Sequence, residues 1–262
     1  MRWALLALAS LLPILAAGKQ VRVVKRFEGF TSIDHRSDYD FVLTDRGSPG
    51  TVLIEGPDDA VGLVTSALRE DVLHIAAEPT RNYLPKLPFF NARLEVRRKV
   101  KVTVSCQGLA RIRTEGAGTL LAERFRFRDL VVESHGGGML SFRNCRFYSL
   151  EAVVTGQGKA KFDNSDAVDV RFKLDGDGTI QAHTLRTKNL DARIFGAGRI
   201  TGYPRELLKA KVAGKGAILY RGNPSTLEKE TSEGGRIEKY LEVEVSSGSR
   251  LTPQPARLES KD

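Results

Sequence analysis

The sequence predicts an all-β protein: a parallel β-helix-like solenoid of 20-residue Gly-x-Gly repeats, preceded by an N-terminal β region. Three observations carry this expectation. Gly-x-Gly pairs recur at a fixed phase, the apolar residues between them alternate with a period of two, and no helical pattern follows any pair.

The pairs fall at Gly116/Gly118, Gly136/Gly138, Gly156/Gly158, Gly176/Gly178 and Gly196/Gly198, with a sixth at Gly214/Gly216. The spacing is 20 four times running, then 18. Within each unit the alternation marks inward columns. Ile112, Val132, Ala152, Phe172, Ala192 and Ala210 form one, and Leu120, Leu140, Ala160, Ile180, Ile200 and Ile218 a second. Ala122, Phe142, Phe162, Ala182, Gly202 and Tyr220 form a third, and Leu130, Leu150, Val170 and Leu190 a fourth. A single unit cannot bury its apolar face, but stacked units share a continuous core. Glycine inside a strand costs about 0.5–1 kcal/mol relative to alanine. Both glycines of every pair therefore read as structural turn residues, needed for a positive φ, a bulge or a close approach between coils. A phosphate-binding loop would need a helix N-terminus behind it, and none is indicated.

Before the repeats, VRVVKRF, FTSIDH, YDFVLTD, GTVLIEG, DVLHIAA and NARLEVRRKVKVTVS read as strands without the 20-residue phase. They form either the same sheet system with irregular turns or a separate sandwich-like cap, which a solenoid needs over its end. Residues 1–18 read as a secretory signal: Arg2 precedes an apolar run from Trp3 to Ala17, and Ala16, Ala17 and Gly18 offer a peptidase site. The run is interrupted by Ser10 and Pro13 and is short for a membrane span of about 20 residues. No Cys follows it for lipid attachment. The expected organisation is a signal peptide at 1–18, an N-terminal β region or cap at 19–108, solenoid repeats at 109–243 and a polar disordered tail at 244–262. An exported chain would reside in the periplasm, at the outer-membrane surface or outside the cell, with membrane contact only through an uncleaved signal.

The formal charge is +9, and loss of Arg2 with the signal leaves 40 Lys and Arg against 32 Asp and Glu, or +8. That balance favours anionic partners such as acidic glycans or envelope components. The basic residues are dispersed and no groove-reading motif is present, so nucleic acid is not the expected partner.

At this point the chain resembles the family described as "putative autotransporter adhesin, head GIN domain", found among bacterial envelope and secreted proteins. The resemblance rests on RFEGFTSIDHRSDYDFVLT, VLIEGPDDAVG, DVLHIAA, VKVTVSCQGLARIRTEGAG and the Gly-x-Gly turns ending in AGKGAILYRGNP, and spans residues 23–240. It implies a stack of parallel coils behind an N-terminal β region and an exported location, but little about activity; the leading expectation for function is a non-enzymatic binding or adhesin-like module, in the envelope or secreted. It supplies no catalytic residues. The chain departs from the pattern in being basic and in carrying Cys106 where a proline is more usual.

With one repeat per turn, equal positions lie about 4.8 Å apart. Glu123, Arg143, Asp163, His183 and Tyr203 would form one outward column, and Arg126, Arg146, Asp166, Arg186 and Glu206 another. Opposite charges in such columns form structural ladders worth about 0.2–1 kcal/mol per pair. Arg126 and Arg146 are adjacent like charges that a pure ladder would avoid. The candidate ligand-binding set is accordingly Arg126, Arg143, Arg146, Asp163 and His183. RFRFRD and Phe147 would give an aromatic row, packed inward or receiving sugars. Asn144 and Asn164 would stack as an amide ladder.

Two further function classes stay open: a periplasmic interaction scaffold, and a glycan-active lyase or hydrolase using Asp163, Asp166, Asp175 or Asp177. Charged ladders satisfy the second too easily, so no catalytic residue is assigned and a non-enzymatic role is expected. His35, His74, His135 and His183 share no metal-ligand spacing, and neither a metal nor a cofactor is expected. Cys106 and Cys145 would lie two turns apart, about 9.6 Å, beyond disulfide reach. Both are therefore expected to be free thiols.

Overall fold

The computed structural model describes residues 19–77, 82–83, 95–96, 99–232 and 234–240. The expected signal segment at 1–18, most of the proline-bearing connection at 78–90 and the polar tail at 244–262 lie outside them. The chain is nearly all β and forms a solenoid of about six turns.

The repeats give β10 to β21, after an N-terminal group of β1 (Gln20–Arg26), β2 (Ser32–Arg36), β3 (Asp40–Thr44), β4 (Thr51–Pro57), a helical turn α1 (Asp58–Val61), β5 (Val64–Arg69), β6 (Val72–Ala77), β7 (Asn82–Tyr83), β8 (Glu95–Val96) and β9 (Lys101–Ser105). Each turn of the coil has three faces. A first face follows the Gly pair: β11 (Thr119–Glu123), β13 (Met139–Arg143), β15 (Lys159–Asp163) and the leading parts of β17 (Thr179–Phe195) and β18 (Arg199–Ala213), then β19 (Ala217–Tyr220) and β21 (Arg236–Lys239). The second and third faces are successive parts of β12 (Arg126–His135), β14 (Arg146–Thr155), β16 (Ser165–Asp175), β17 and β18. β10 (Arg111–Glu115) and β20 (Thr226–Ser232) belong to the third face.

Strands pair in parallel with an offset of 20: Leu120 faces Leu140, Phe127 faces Phe147, and Val132 faces Ala152. The apolar columns read from the sequence all point inward, and Ile112, Val132, Phe142, Phe162, Phe172 and Ile180 are fully buried. Full burial of such a side chain contributes roughly 1.5–3 kcal/mol, more than the glycines cost. The aromatic row also packs inward. Phe127 stacks on Phe147 at 5.4 Å, and Phe142 on Phe162 at 5.3 Å.

The two glycines of a pair do different work, the first meeting the need for a positive φ and the second the need for a close approach between coils. Only the first of each pair, at 116, 136, 156, 176, 196 and 214, turns the corner with positive φ, as Gly196 does at 129°, where an L side chain is strained. Its N–H also donates across the stack, from Gly196 to Ala213 O at 2.9 Å. The second glycines, Gly118, Gly138, Gly158, Gly178, Gly198 and Gly216, lack the positive φ of a turn. They are present because the previous turn crowds the place that a side chain would take. A Cβ on Gly118 would collide with Tyr39 O, one on Gly138 would stand 2.6 Å from Gly118 O, and one on Gly178 2.5 Å from Gly158 O. At Gly216 the obstruction comes from the Ile194 side chain at 2.7 Å and Gly198 O at 2.8 Å.

The corner between the first and second faces is made without glycine, by Arg124, Asn144 and Asn164 at φ of 64°, 55° and 47°. Asparagine tolerates this left-handed conformation better than most residues. The expected amide ladder is not formed. The turn directs both asparagine side chains to solvent, and no side-chain hydrogen bond joins them among the described residues.

The N-terminal residues share the sheet of the repeats, threaded out of order. β10 stacks on β2 and β11 on β3, while β6 and β9 stack on the opposite edges of β2 and β3. The outer edges are covered antiparallel, with β5 on β6, and β4 on β9 with β1 beyond it. Such cover removes the open parallel edge that would otherwise recruit another chain. The threading also corrects the cysteine geometry. Cys106 follows β9 and Cys145 follows β13, three strand spacings apart through β3 and β11 rather than two, or about 14 Å.

The 18-residue spacing has a local cause. Gln181 faces Thr201, but Arg186 faces Tyr203 and Asn189 faces Leu207. Three residues are lost at the corner between the first and second faces, and one is regained before Leu207. Gly202 makes this possible, since any Cβ there would collide with the Leu190 side chain. The shortening overturns both expected columns beyond the fourth unit. Tyr203 stands beside Arg186 instead of following His183, and Glu206 pairs with Lys188 at 3.3 Å.

Gly178→Ala is expected to destabilise the fold by about 1–3 kcal/mol through overpacking. Gly137→Ala, whose Cβ would meet nothing within 4 Å, is expected to change stability by no more than about 0.5 kcal/mol. Chemical denaturation of the two variants checks the contrast.

Candidate functional site

Because the inward columns are filled by the core, chemistry can reside only on the outward ones. Arg126 and Arg146 are exposed neighbours on the second face, in direct register. The next residue in that column, Asp166, is taken by Arg186, which holds both carboxylate oxygens at 2.8 and 3.1 Å. Among the described residues no carboxylate lies within 4.0 Å of Arg126 or Arg146. Tyr148, two residues past Arg146 on the same outward side, is 61% exposed. It is the aromatic that the alternation leaves available, since Phe125, Phe127 and Phe147 point inward.

Arg143 lies in register with Asp163 at the end of the first face. They do not form the expected ladder pair: Asp163 is held by Lys161 at 2.9 Å, and the neighbouring Glu123 by Arg124 at 3.4 Å. Arg143 therefore joins Arg126 and Arg146 as a cation without a carboxylate among the described residues. His183 sits apart from them on β17. The candidate set thus divides into three arginines around one corner and His183 farther along the first face, with Asp163 between them.

His183 borders a feature that the sequence reading did not identify. A shallow depression of about 790 Å³ crosses the first face from β15 to β21. Lys159, Lys161, Arg199, Lys215, Arg221 and Arg236 line it, and Asp177 is the one acidic residue in its lining. The shortened coil gives it its shape. β17 retains the long corner that bears His183, and β18, with Gly202, falls back from it. Arg221 lies over the Tyr203 ring at 5.0 Å. The position directly after the second glycine of each pair would have revealed the cationic column, but only the inward positions stood out by type.

The third face is different. There Arg171 meets Glu151 at 3.3 Å, Arg193 meets Asp191 at 2.8 Å, Lys209 meets Glu228 at 3.2 Å and Lys211 meets Glu230 at 2.7 Å. Exposed pairs of this kind add at most about 1 kcal/mol each. Their consequence is that this face is electrically neutral.

The titratable groups near the cap are bound into the fold. Asp34 accepts from Arg36 at 2.9 and 3.2 Å and lies 3.3 Å from His74 Nδ1. His35 is buried, 2.8 Å from Ser37 Oγ and against the Phe41 ring. Burial lowers its pKa from 6.5 to about 4, with Asp34 and Asp38 opposing the shift. Asp38 also accepts a 2.7 Å hydrogen bond from the Ala117 N–H and so holds the first glycine corner. Cys106 and Cys145 are both buried and unpaired. Burial pushes the Cys106 thiol up to about 12 and raises that of Cys145. Among the described residues no group of three or more His, Cys, Asp or Glu side chains could hold a metal ion. No helix among them is long and apolar enough to cross a membrane.

Residues 29–224 match the family described as "Putative auto-transporter adhesin, head GIN domain". Comparison with curated proteins gives no match. Among solved structures, a "putative adhesin" from Bacteroides fragilis NCTC 9343 superposes with a TM-score of 0.71 at 23% identity, over 85% of this chain and 97% of its own. A "putative adhesin" from Parabacteroides merdae ATCC 43184 gives 0.62 at 17% identity, over 86% and 97%. A "putative lipid binding protein" from Parabacteroides distasonis ATCC 8503 gives 0.60 at 18%, over 86% and 98%. At these identities the likeness is one of fold.

Two outcomes follow from the buried groups. Above pH 6.5 His35 is neutral in the folded and unfolded states alike, so its contribution is complete. As pH falls from 6.5 to about 4 the unfolded chain takes up the proton first, and about 3 kcal/mol of stability is lost. Denaturant midpoints measured across that range should fall less steeply for His35→Gln than for the parent. Neither thiol should react with a disulfide reagent at mildly alkaline pH in the native protein, and both should react once it is unfolded.

Proposed function

The chain belongs to the family described as "Putative auto-transporter adhesin, head GIN domain", and on that basis we propose that it is an exported, non-enzymatic binding module of the cell envelope. Its ligand is an anionic glycan or envelope component, held at the Arg126, Arg143 and Arg146 corner. The observation that carries this reading is the uncompensated Arg126–Arg146 pair. Two cations on adjacent strands repel each other, and the one carboxylate in their column is already bound by Arg186. A bound anion would relieve that repulsion, and Tyr148 offers a flat apolar surface beside it for a sugar ring.

The rival glycan-active enzyme needs two carboxylates placed for acid–base work. Asp163 and Asp166 are instead tied to Lys161 and Arg186, at the end of a first-face strand and the start of a second-face strand. This favours the binding role. The basic charge of the whole chain supports an anionic ligand in the same direction.

Replacing both arginines, Arg126→Gln with Arg146→Gln, is expected to weaken binding to an immobilised acidic glycan at least tenfold without lowering the melting temperature. Unchanged binding in that double variant would sink the assignment of this corner.

A further inference from the structure

The first face changes character at β15. In register along it, the first residues of the strand segments read Lys159, Thr179, Arg199, Ala217 and Arg236. Cations thus stand in single file on every second strand, about 9.6 Å apart. Small side chains separate them and leave the floor of the depression low between them. Beside this file run Lys161, Gln181, Thr201 and Leu219, also in register. Among the described residues no carboxylate lies within 4.0 Å of Lys159, Arg199, Lys215 or Arg236. On the same turns the third face pairs Lys209 and Lys211 with glutamates. On these turns the first face is therefore unbalanced where the third is not, so its charge does not simply follow from a basic composition.

We propose that this depression binds a linear acidic polysaccharide, laid along the solenoid axis and across the strands. Regular cations in one line match a polymer whose negative charges recur along its length, and a compact anion would use only one of them. Thr179, Gln181 and Thr201 supply hydroxyl and amide groups between the cations, where the polymer presents its own hydroxyls. Single-stranded nucleic acid is matched less well, because Tyr240 is the one Phe, Tyr or Trp in the lining and cannot stack successive bases along it. A lipid surface is matched less well too, since Leu219 is the one large aliphatic residue in a concave lining. The inference shares with the preceding proposal the sign of the ligand's charge. It uses a different face, so either can fail alone.

The test is binding of the full chain to heparin oligosaccharides of graded length, with single-stranded oligonucleotides and phosphatidylglycerol vesicles as competitors. Affinity should rise with length until the oligosaccharide spans four strand spacings, about 19 Å, and then level off. Added salt should weaken it. Lys159→Gln, Arg199→Gln and Arg236→Gln together should cost at least tenfold and abolish the length dependence, and Arg199→Gln alone at least threefold, with melting temperatures unchanged. Arg171→Gln with Lys209→Gln, on the neutral face, should leave binding intact, and Arg126→Gln with Arg146→Gln should leave the length dependence intact. Binding without length dependence, an equal loss in the neutral-face variant, or easier displacement by oligonucleotide or vesicle would each overturn the proposal.

Discussion

The close contact of backbone with backbone at the glycine corners is the constraint on which the rest of this molecule depends. Successive turns approach so nearly there that a single methyl group at Gly178 would meet the carbonyl oxygen of Gly158. That contact fixes the stacking register of one turn on the next. Register in turn decides which side chains fill the interior and which stand in files outside, because a slip of one residue would exchange the two sets. The phenylalanine stack and the charged columns are two results of the same geometric condition.

Much of the architecture was legible because the repeat repeats both its chemistry and its phase. Ile112, Leu120, Phe142 and Leu150 could be placed inside from alternation alone, and the glycine pairs could be recognised as corners. The division of labour within a pair could not, because a glycine that turns the chain and one that yields space to a neighbouring carbonyl are the same letter. Three further features escaped for physical reasons. The path of β2, β3, β6 and β9 depends on which strand edge each meets, a non-local choice that alternation does not encode. The asparagine corner shows no apolar pattern, although the recurrence of Asn at 144 and 164 is the kind of signal a left-handed residue leaves. The shortened turn was visible as a spacing of 18, but its consequence for register depended on where the residues were removed, at the corner beside Gly202.

The candidate site was legible to a smaller degree, because whether a charge is compensated depends on side-chain geometry as well as on register. Arg143 and Asp163 stand side by side, yet the aspartate turns to Lys161. Asp166 could have served Arg146 or Arg186 and serves the latter with both oxygens. These local choices leave the second-face arginines bare. On the third face, residues of the same types neutralise one another, across β14–β16 and β18–β20 and, for Arg193 and Asp191, within β17. Function on such a scaffold is thus a matter of where pairing is withheld.

The out-of-order threading at the N-terminal end separates two parts of the molecule that obey different rules. The first turn to be synthesised, β2 with β3, ends in the interior of the stack, enclosed by β6 and β9 on one side and by β10 and β11 on the other. This end is closed: no further unit can be placed beyond it without unpicking the antiparallel cover. The turns after it touch only their immediate neighbours. Gain or loss of a 20-residue unit there would alter the length of the outward files by one strand spacing and leave the head intact. The architecture therefore works as a ruler with one fixed end, on which the reach of a binding face can change by whole steps.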